Sequence, residues 1–260
     1  MPVIEQRKPK KAEAERHNSR IVIRVEDVSV RYRVPHERIS TFKEYAIRAL
    51  QRRVTYDEFF ALHDVSLDVK ASEVFGVIGR NGAGKSTLLR VISRVMRPTS
   101  GRVWRQGRVA PLLELGGGFH PELTGRENVF LNGALLGHSR AEMARRFDEI
   151  VEFAELSEFI DTPLRSYSSG MSARLGFAVA TSVQPDVLIV DEVLSVGDER
   201  FQQKCSARID RFRSDGATIL LVSHNATLVQ SLCDRAVWLD KGRVKVVGPA
   251  AEVVSSYQNQ

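Results

Sequence analysis

Apolar residues alternate with polar ones from Ile21 to Val25, and the pattern returns at Val28 and Val30. A period of two places one face of a strand on a core. The gap between Val25 and Val28 allows either a strand pair or one long bent strand, which Pro35 ends. Strand character resumes at Leu62–Val69. The next run, Glu73-Val-Phe-Gly-Val-Ile-Gly79, is nearly all apolar, as a strand buried on both faces must be. It leads through a glycine loop into a helix predicted over Lys85–Val95. Residues 120–180 are mostly helical in pattern, most clearly over Ala141–Phe153 and Ser169–Ser182. Two more unbroken apolar strands follow, Val187–Val190 and Thr218–Val222. Strands near Arg235–Leu239 and Arg243–Val247 are joined by the turn Asp240-Lys241-Gly242. Buried strands alternating with helices predict an α/β fold around a mostly parallel sheet.

Three segments depart from this pattern. Residues 1–19 are rich in Lys, Arg and Glu and are expected to form a flexible, solvated tail. Residues 34–60 read as an insertion. Within it Ile39, Phe42, Ala46, Ala49 and Leu50 recur at helical spacing, and Arg38, Lys43, Arg48, Arg52 and Arg53 line the other faces. Such a basic amphipathic helix suits either a surface packed on the sheet or a membrane or partner surface. Residues 251–260 are expected as a C-terminal tail.

Composition narrows the class. The 260 residues can bury a sizeable core. No apolar run reaches the roughly 18–20 residues that cross a bilayer, and the N-terminus lacks the apolar core of a signal peptide. The expected compartment is therefore the cytosol. Cys205 and Cys233 match no metal spacing and read as reduced thiols. The net charge of +6 fits nucleic acid, an anionic membrane or plain solubility equally well.

The candidate chemistry lies at the ends of the apolar strands. Gly79-Arg80-Asn81-Gly82-Ala83-Gly84-Lys85-Ser86-Thr87 matches the P-loop pattern, placed between a strand and a helix as that motif requires. Backbone N–H groups of such a loop turn toward phosphate oxygens, and the helix N-terminus points at the same charge. Lys85 supplies a cation for the β- and γ-phosphates of ATP, and Ser86 a hydroxyl for Mg²⁺. Asp191 and Glu192 close the strand Val187–Val190. There Asp191 would hold the metal through a water, and Glu192 would act as general base on the attacking water. His224 follows the strand Thr218–Val222, where it can sense the γ-phosphate. Tyr167-Ser168-Ser169-Gly170-Met171 precedes a helix that Ser168 or Ser169 can cap, with free N–H groups that suit an anion.

These motifs, in this order, resemble the nucleotide-binding subunit of ATP-binding-cassette (ABC) transporters over about residues 21–250. The resemblance implies a P-loop NTPase fold. It would comprise a RecA-like core, an antiparallel β subdomain and a helical subdomain at about 118–183, all within an ABC domain spanning 20–250. It also implies roles for particular residues. Tyr167–Met171 would be the ABC signature, with Met171 where Gln is usual, and Ser168, Ser169 and Gly170 would meet an ATP held by a second copy. Ser195–Asp198 would be the D-loop that crosses the dimer seam. Tyr32 would stack on adenine, with Phe59 and Phe60 as rivals. Glu114 would stand where a Gln usually meets Mg²⁺.

Finer features are similar to the ATPase subunits that export O-antigen, capsule, teichoic acid or galactan. They are the run from Leu112 to Asn128, Tyr-Ser-Ser-Gly-Met, and Asp191–Asp198 followed by Phe201-Gln-Gln-Lys-Cys205. In that group a short helix within an insertion before the P-loop strand lies at the membrane interface, and 36–56 fits that place. The implied partners are a second copy, polytopic permease subunits and the cytoplasmic face of the inner membrane, with no nucleic acid. An importer or drug-exporter subunit, or a soluble ABC ATPase acting on nucleic acid, is the alternative.

Overall fold

The computed structural model describes residues 20–35, 56–112, 115–191 and 197–260. The alternating segments form an antiparallel sheet of three strands. Strand β1 (Ile21–Pro35) lies between β2 (Tyr56–Lys70) and β4 (Ser100–Arg105). β1 is one long bent strand. Its register shifts between Val25 and Val28 and between Val28 and Val30, and Asp27 takes a left-handed backbone conformation (φ 47°). These bulges absorb the broken alternation, so Val25, Val28 and Val30 all remain buried. The β1–β2 ladder runs on to Pro35 opposite Tyr56. Both ends of the expected insertion are thus strand, while the amphipathic helix read over 36–56 lies outside the described residues apart from Tyr56.

The second sheet takes the unbroken apolar runs. It contains β3 (Val74–Ile78), β5 (Val109–Leu112), β6 (Val187–Val190), β7 (Thr218–Ser223), β8 (Arg235–Asp240) and β9 (Arg243–Pro249), in the order β5-β6-β7-β3-β8-β9. Every neighbouring pair is parallel except the β8–β9 hairpin. Lys241 (φ 46°) and Gly242 (φ 75°) form its two-residue turn, and two positive φ values match the twist of the flanking strands.

Most helices start where the sequence offers a cap. The helices are α1 (Lys85–Ile92), α2 (Gly125–Leu135), α3 (Arg140–Ala154), α4 (Ser169–Ala180), α5 (Glu199–Ser214), α6 (Ala226–Leu232) and α7 (Ala250–Gln258). Thr124 and Glu127 cap α2 reciprocally, and Ser139, Ser168, Asp198 and Asn225 cap α3, α4, α5 and α6. Helix α7 occupies most of the segment expected as a tail. Val253 and Val254 are buried in it, which gives this short stretch a tertiary reason to be helical.

Three apolar clusters join these layers. One fills the space between the small sheet, α1 and one face of the large sheet, with Val28, Leu62, Phe75, Leu89 and Val237 among its members. The second lies on the opposite face of the large sheet, where Phe177, Phe201, Val229 and Val253 meet Ile78, Leu188 and Leu221. The third packs α2, α3 and α4 together through Val129, Met143, Ile150 and Leu175. Helix α4 serves two of them, with Phe177 and Ala180 toward the sheet and Leu175, Ala178 and Val179 toward the helices. Cys205 and Cys233 sit in the sheet-side cluster, where burial pushes each thiol up to about 12. Both thiols should therefore resist an aromatic disulfide reagent at pH 8 in the folded protein and react together on unfolding, read by released chromophore. Rapid reaction of either in native buffer would contradict this packing.

Candidate active site

Parallel register brings the candidate residues to one edge of the large sheet. β7 lies between β3 and β6, with Ile78 paired to Ser223 and Val190 to Leu221. The P-loop, His224 and Asp191 therefore leave three adjacent strands at the same end. Neighbouring strands are about 4.8 Å apart, so the P-loop strand and the acid strand stand about 10 Å apart with His224 between them. A crevice beyond the carboxyl ends of such strands is where α/β sheets bind ligands.

The P-loop is held from outside by two other segments. The Gly242 N–H donates to the Ala83 carbonyl (2.9 Å), and the His63 N–H donates to the Gly242 carbonyl (2.8 Å). A Cβ on Gly79 would lie 2.3 Å from the Leu239 carbonyl oxygen, and one on Gly84 (φ 103°) would lie 2.5 Å from that of Ala61. Those two glycines allow the scaffold to close on the loop. Gly82 (φ 80°) differs, because a Cβ there would meet nothing within 4 Å. The loop turns at Gly82 with open space before it, as a phosphate cradle requires. Lys85 Nζ donates to the carbonyls of Gly79 (2.7 Å) and Arg80 (3.2 Å). Its ammonium thus lies back across the mouth of the loop. Ser86 and Thr87 follow in the first turn of α1, which has Gly84 as N-cap and, among the described residues, no side-chain cap hydrogen bond. Arg80, Asn81 and Ser86 are exposed. These features fit a nucleotide triphosphate.

Asp191 is half-buried and His224 is exposed at the same edge. Glu192, the expected general base, and Glu114, the expected metal contact, lie outside the described residues. Among the described residues, no group of three or more His, Cys, Asp or Glu is arranged to hold a metal. Ser86 and Asp191 suit a Mg²⁺ held chiefly by phosphates and water, which needs only one or two protein groups.

The signature stands apart from this edge, at the start of α4. Ser168 Oγ accepts from the Met171 N–H (3.1 Å), so Ser168 rather than Ser169 is the cap. Ser168 and Ser169 are exposed, and a Cβ on Gly170 would meet only Ser168 Oγ at 3.8 Å. This helix start is therefore open to an incoming group. Asp198 caps α5. The Phe201 N–H first and Arg174 second hold its carboxyl below the ordinary range. Tyr32 is partly buried: it stacks on Phe59 (5.4 Å between centroids), and its hydroxyl reaches Met96 Sδ at 3.5 Å. Phe59 and Phe60 are about half exposed, at 52% and 48%.

A family model described as ABC transporter matches residues 62–195. The chain belongs to the ABC transporter family. The O-antigen export system ATP-binding protein RfbB of Klebsiella pneumoniae is 53% identical over 201 residues, which is 77% of this chain and 82% of that protein. The teichoic acids export ATP-binding protein TagH of Levilactobacillus brevis is 44% identical over 200 residues, 77% of this chain and 55% of that protein. A solved ATP-binding subunit of an ABC transporter superposes with a TM-score of 0.68 at 25% identity, over 91% of this chain and 93% of that one. The fold is thus the P-loop NTPase fold of ABC cassettes, with its antiparallel sheet and helical layer.

One feature of this ABC cassette was not legible in its motifs. A groove of about 400 Å³ runs between α1, β5 and the helical layer, lined by Arg90, Ser93, Val95, Leu115, Leu135 and Gly176. Val95 and Leu135 are 71% and 64% exposed, apolar residues left at the surface beside the glycine loop that follows β5. Asn132 holds that loop through the Gly117 carbonyl (3.0 Å), and Asn128 is fully buried and ties down the segment between the loop and α2. Its amide nitrogen donates to the carbonyls of His120, Leu123 and Thr124, and its oxygen accepts from the His120 N–H. The only sequence signal for this is a polar residue on the buried face of α2.

Proposed function

We propose that this chain is the ATP-hydrolysing subunit of an exporter that moves a lipid-linked polysaccharide across the cytoplasmic membrane. The observation that carries this reading is the assembly of the P-loop, Asp191 and His224 on adjacent parallel strands, in a chain 53% identical to an O-antigen export ATP-binding protein. Two copies meet head to tail with two ATP molecules between them. Each ATP takes Gly79–Thr87, Asp191, Glu192 and His224 from one copy, and Ser168, Ser169 and Gly170 from the other. The open signature start supports this, because in its own chain it stands on a different layer from the P-loop. Mg²⁺ would be held by Ser86 and Asp191, with Glu114 beside it, and would neutralise phosphate charge when bound.

ATP favours the closed pair because its γ-phosphate contacts both copies, and hydrolysis removes that preference. The groove edged by Val95 and Leu135 receives a cytoplasmic segment of the permease. Among the described residues no helix is long and apolar enough to cross a membrane, so in this reading the permease holds the chain at the cytoplasmic face. The test is co-purification. A tagged chain should recover a polytopic membrane protein in stoichiometric amount, and Val95→Asp with Leu135→Asp should release it without loss of ATP binding. Recovery of nucleic acid alone, with a steep salt dependence, would overturn the reading.

A further inference from the structure

Arg174 lies on the signature helix α4, two turns after its cap, yet its contacts are with two other elements. One guanidinium nitrogen donates to Glu155 (2.9 Å), and another donates to Asp198. The group also lies 5.0 Å from the centre of the Phe201 ring. Glu155 ends α3 in a left-handed conformation (φ 59°) and accepts a second cation, Lys204 of α5 (2.9 Å). Asp198 uses its other oxygen to accept the Phe201 N–H (2.9 Å) as the cap of α5. Gly197 passes beneath: a Cβ there would lie 3.2 Å from Arg174 Nε and 3.2 Å from Phe201. At its φ of 74° a side chain would be strained, and both neighbours would have to give by a few tenths of an ångström.

The planar guanidinium thus bridges two carboxylates on separate elements, a geometry that an ammonium reproduces poorly. The Arg174 side chain is 19% exposed and that of Asp198 is 61% exposed. A pair with one wet partner adds little to global stability. What it fixes is a position. The chain leaves the acid strand at Asp191 and re-enters helix at Asp198, and Arg174 sets where that return is made relative to the signature helix. We propose that Arg174 is a positioning residue for hydrolysis: through Asp198 and the turn at Gly197 it holds the start of α5 against the signature helix α4.

This rests on the ATPase reading and separates from it experimentally. Steady-state ATPase of Arg174→Ala and Asp198→Asn should show kcat lowered about tenfold, with KM for ATP within about threefold. Asn caps a helix as well as Asp does, so Asp198→Asn keeps the start of α5 while losing the ion pair. Arg174→Lys should recover part of kcat, and the double variant Arg174→Ala/Asp198→Asn should be no slower than the worse single one, because both act through one contact. If kcat of both single variants stays within twofold of the parent, or if their losses multiply in the double variant, the proposal fails. Lys85→Ala serves as the control. If it hydrolyses ATP as fast as the parent, the site assignment itself fails, whatever Arg174 does.

Discussion

Lys85→Ala is expected to lower Mg-ATP hydrolysis at least about 100-fold, or about 2.7 kcal/mol of barrier. Lys85 Nζ rests on the carbonyls of Gly79 and Arg80, at the mouth of a loop whose turn at Gly82 faces open space. Those carbonyls are neutral acceptors. A γ-phosphate oxygen is a charged one, and a charge-assisted bond is roughly twice as strong. The ammonium is therefore expected to leave the loop for the phosphates and to follow their charge as the γ-phosphoryl group departs. Alanine removes this without disturbing the scaffold, since Gly79 and Gly84 make the close contacts to Leu239 and Ala61. The melting temperature should stay near that of the parent in the absence of nucleotide. The stabilisation that ATP gives the parent should shrink or vanish.

Glu192→Gln is expected to separate binding from turnover. Glutamine keeps the size of the side chain and a hydrogen-bonding oxygen but removes a basic site for the proton of the attacking water. Loss of a positioned general base costs about 10²–10⁴-fold. ATP binding, which depends on the loop and on Lys85, should persist. The variant should then accumulate as an ATP-bound pair of chains, visible as a shift to twice the monomer mass on size exclusion with ATP and Mg²⁺. Turnover within about tenfold of the parent, a change of about 1.4 kcal/mol, would remove Glu192 as the base.

The parts of this protein that were legible in its sequence are those written contiguously. The P-loop, the strand ending at Val190 and the strand before His224 each lie in one short window, and their apolar runs allow little but buried parallel strands. Their order in the sheet was not legible. That β7 inserts between β3 and β6 is settled by its pairings with segments about 145 residues away (β3) and about 31 residues away (β6) along the chain. Edge strand β4 was missed because Ser100–Arg105 carries little apolar pattern and owes its form to backbone pairing with β1. Helix α7 was missed because its pattern is too short to stand alone, and contacts with β8 and β9 complete it. The bridge at Arg174 was beyond any motif, since its two carboxylates arrive from Glu155 and Asp198 on different elements. The bent β1 is the reverse case: two readings were open, and bulges at Asp27 chose one.

In the proposed function, ATP hydrolysis at this P-loop drives export of a lipid-linked glycan. The most direct measurement places Lys85→Ala in cells as the sole copy of this chain and follows the lipid-linked glycan on each side of the cytoplasmic membrane. Glycan should accumulate on the cytoplasmic side and disappear from the surface, while the variant still co-purifies with its membrane partner. Normal surface glycan with an inactive P-loop would contradict it.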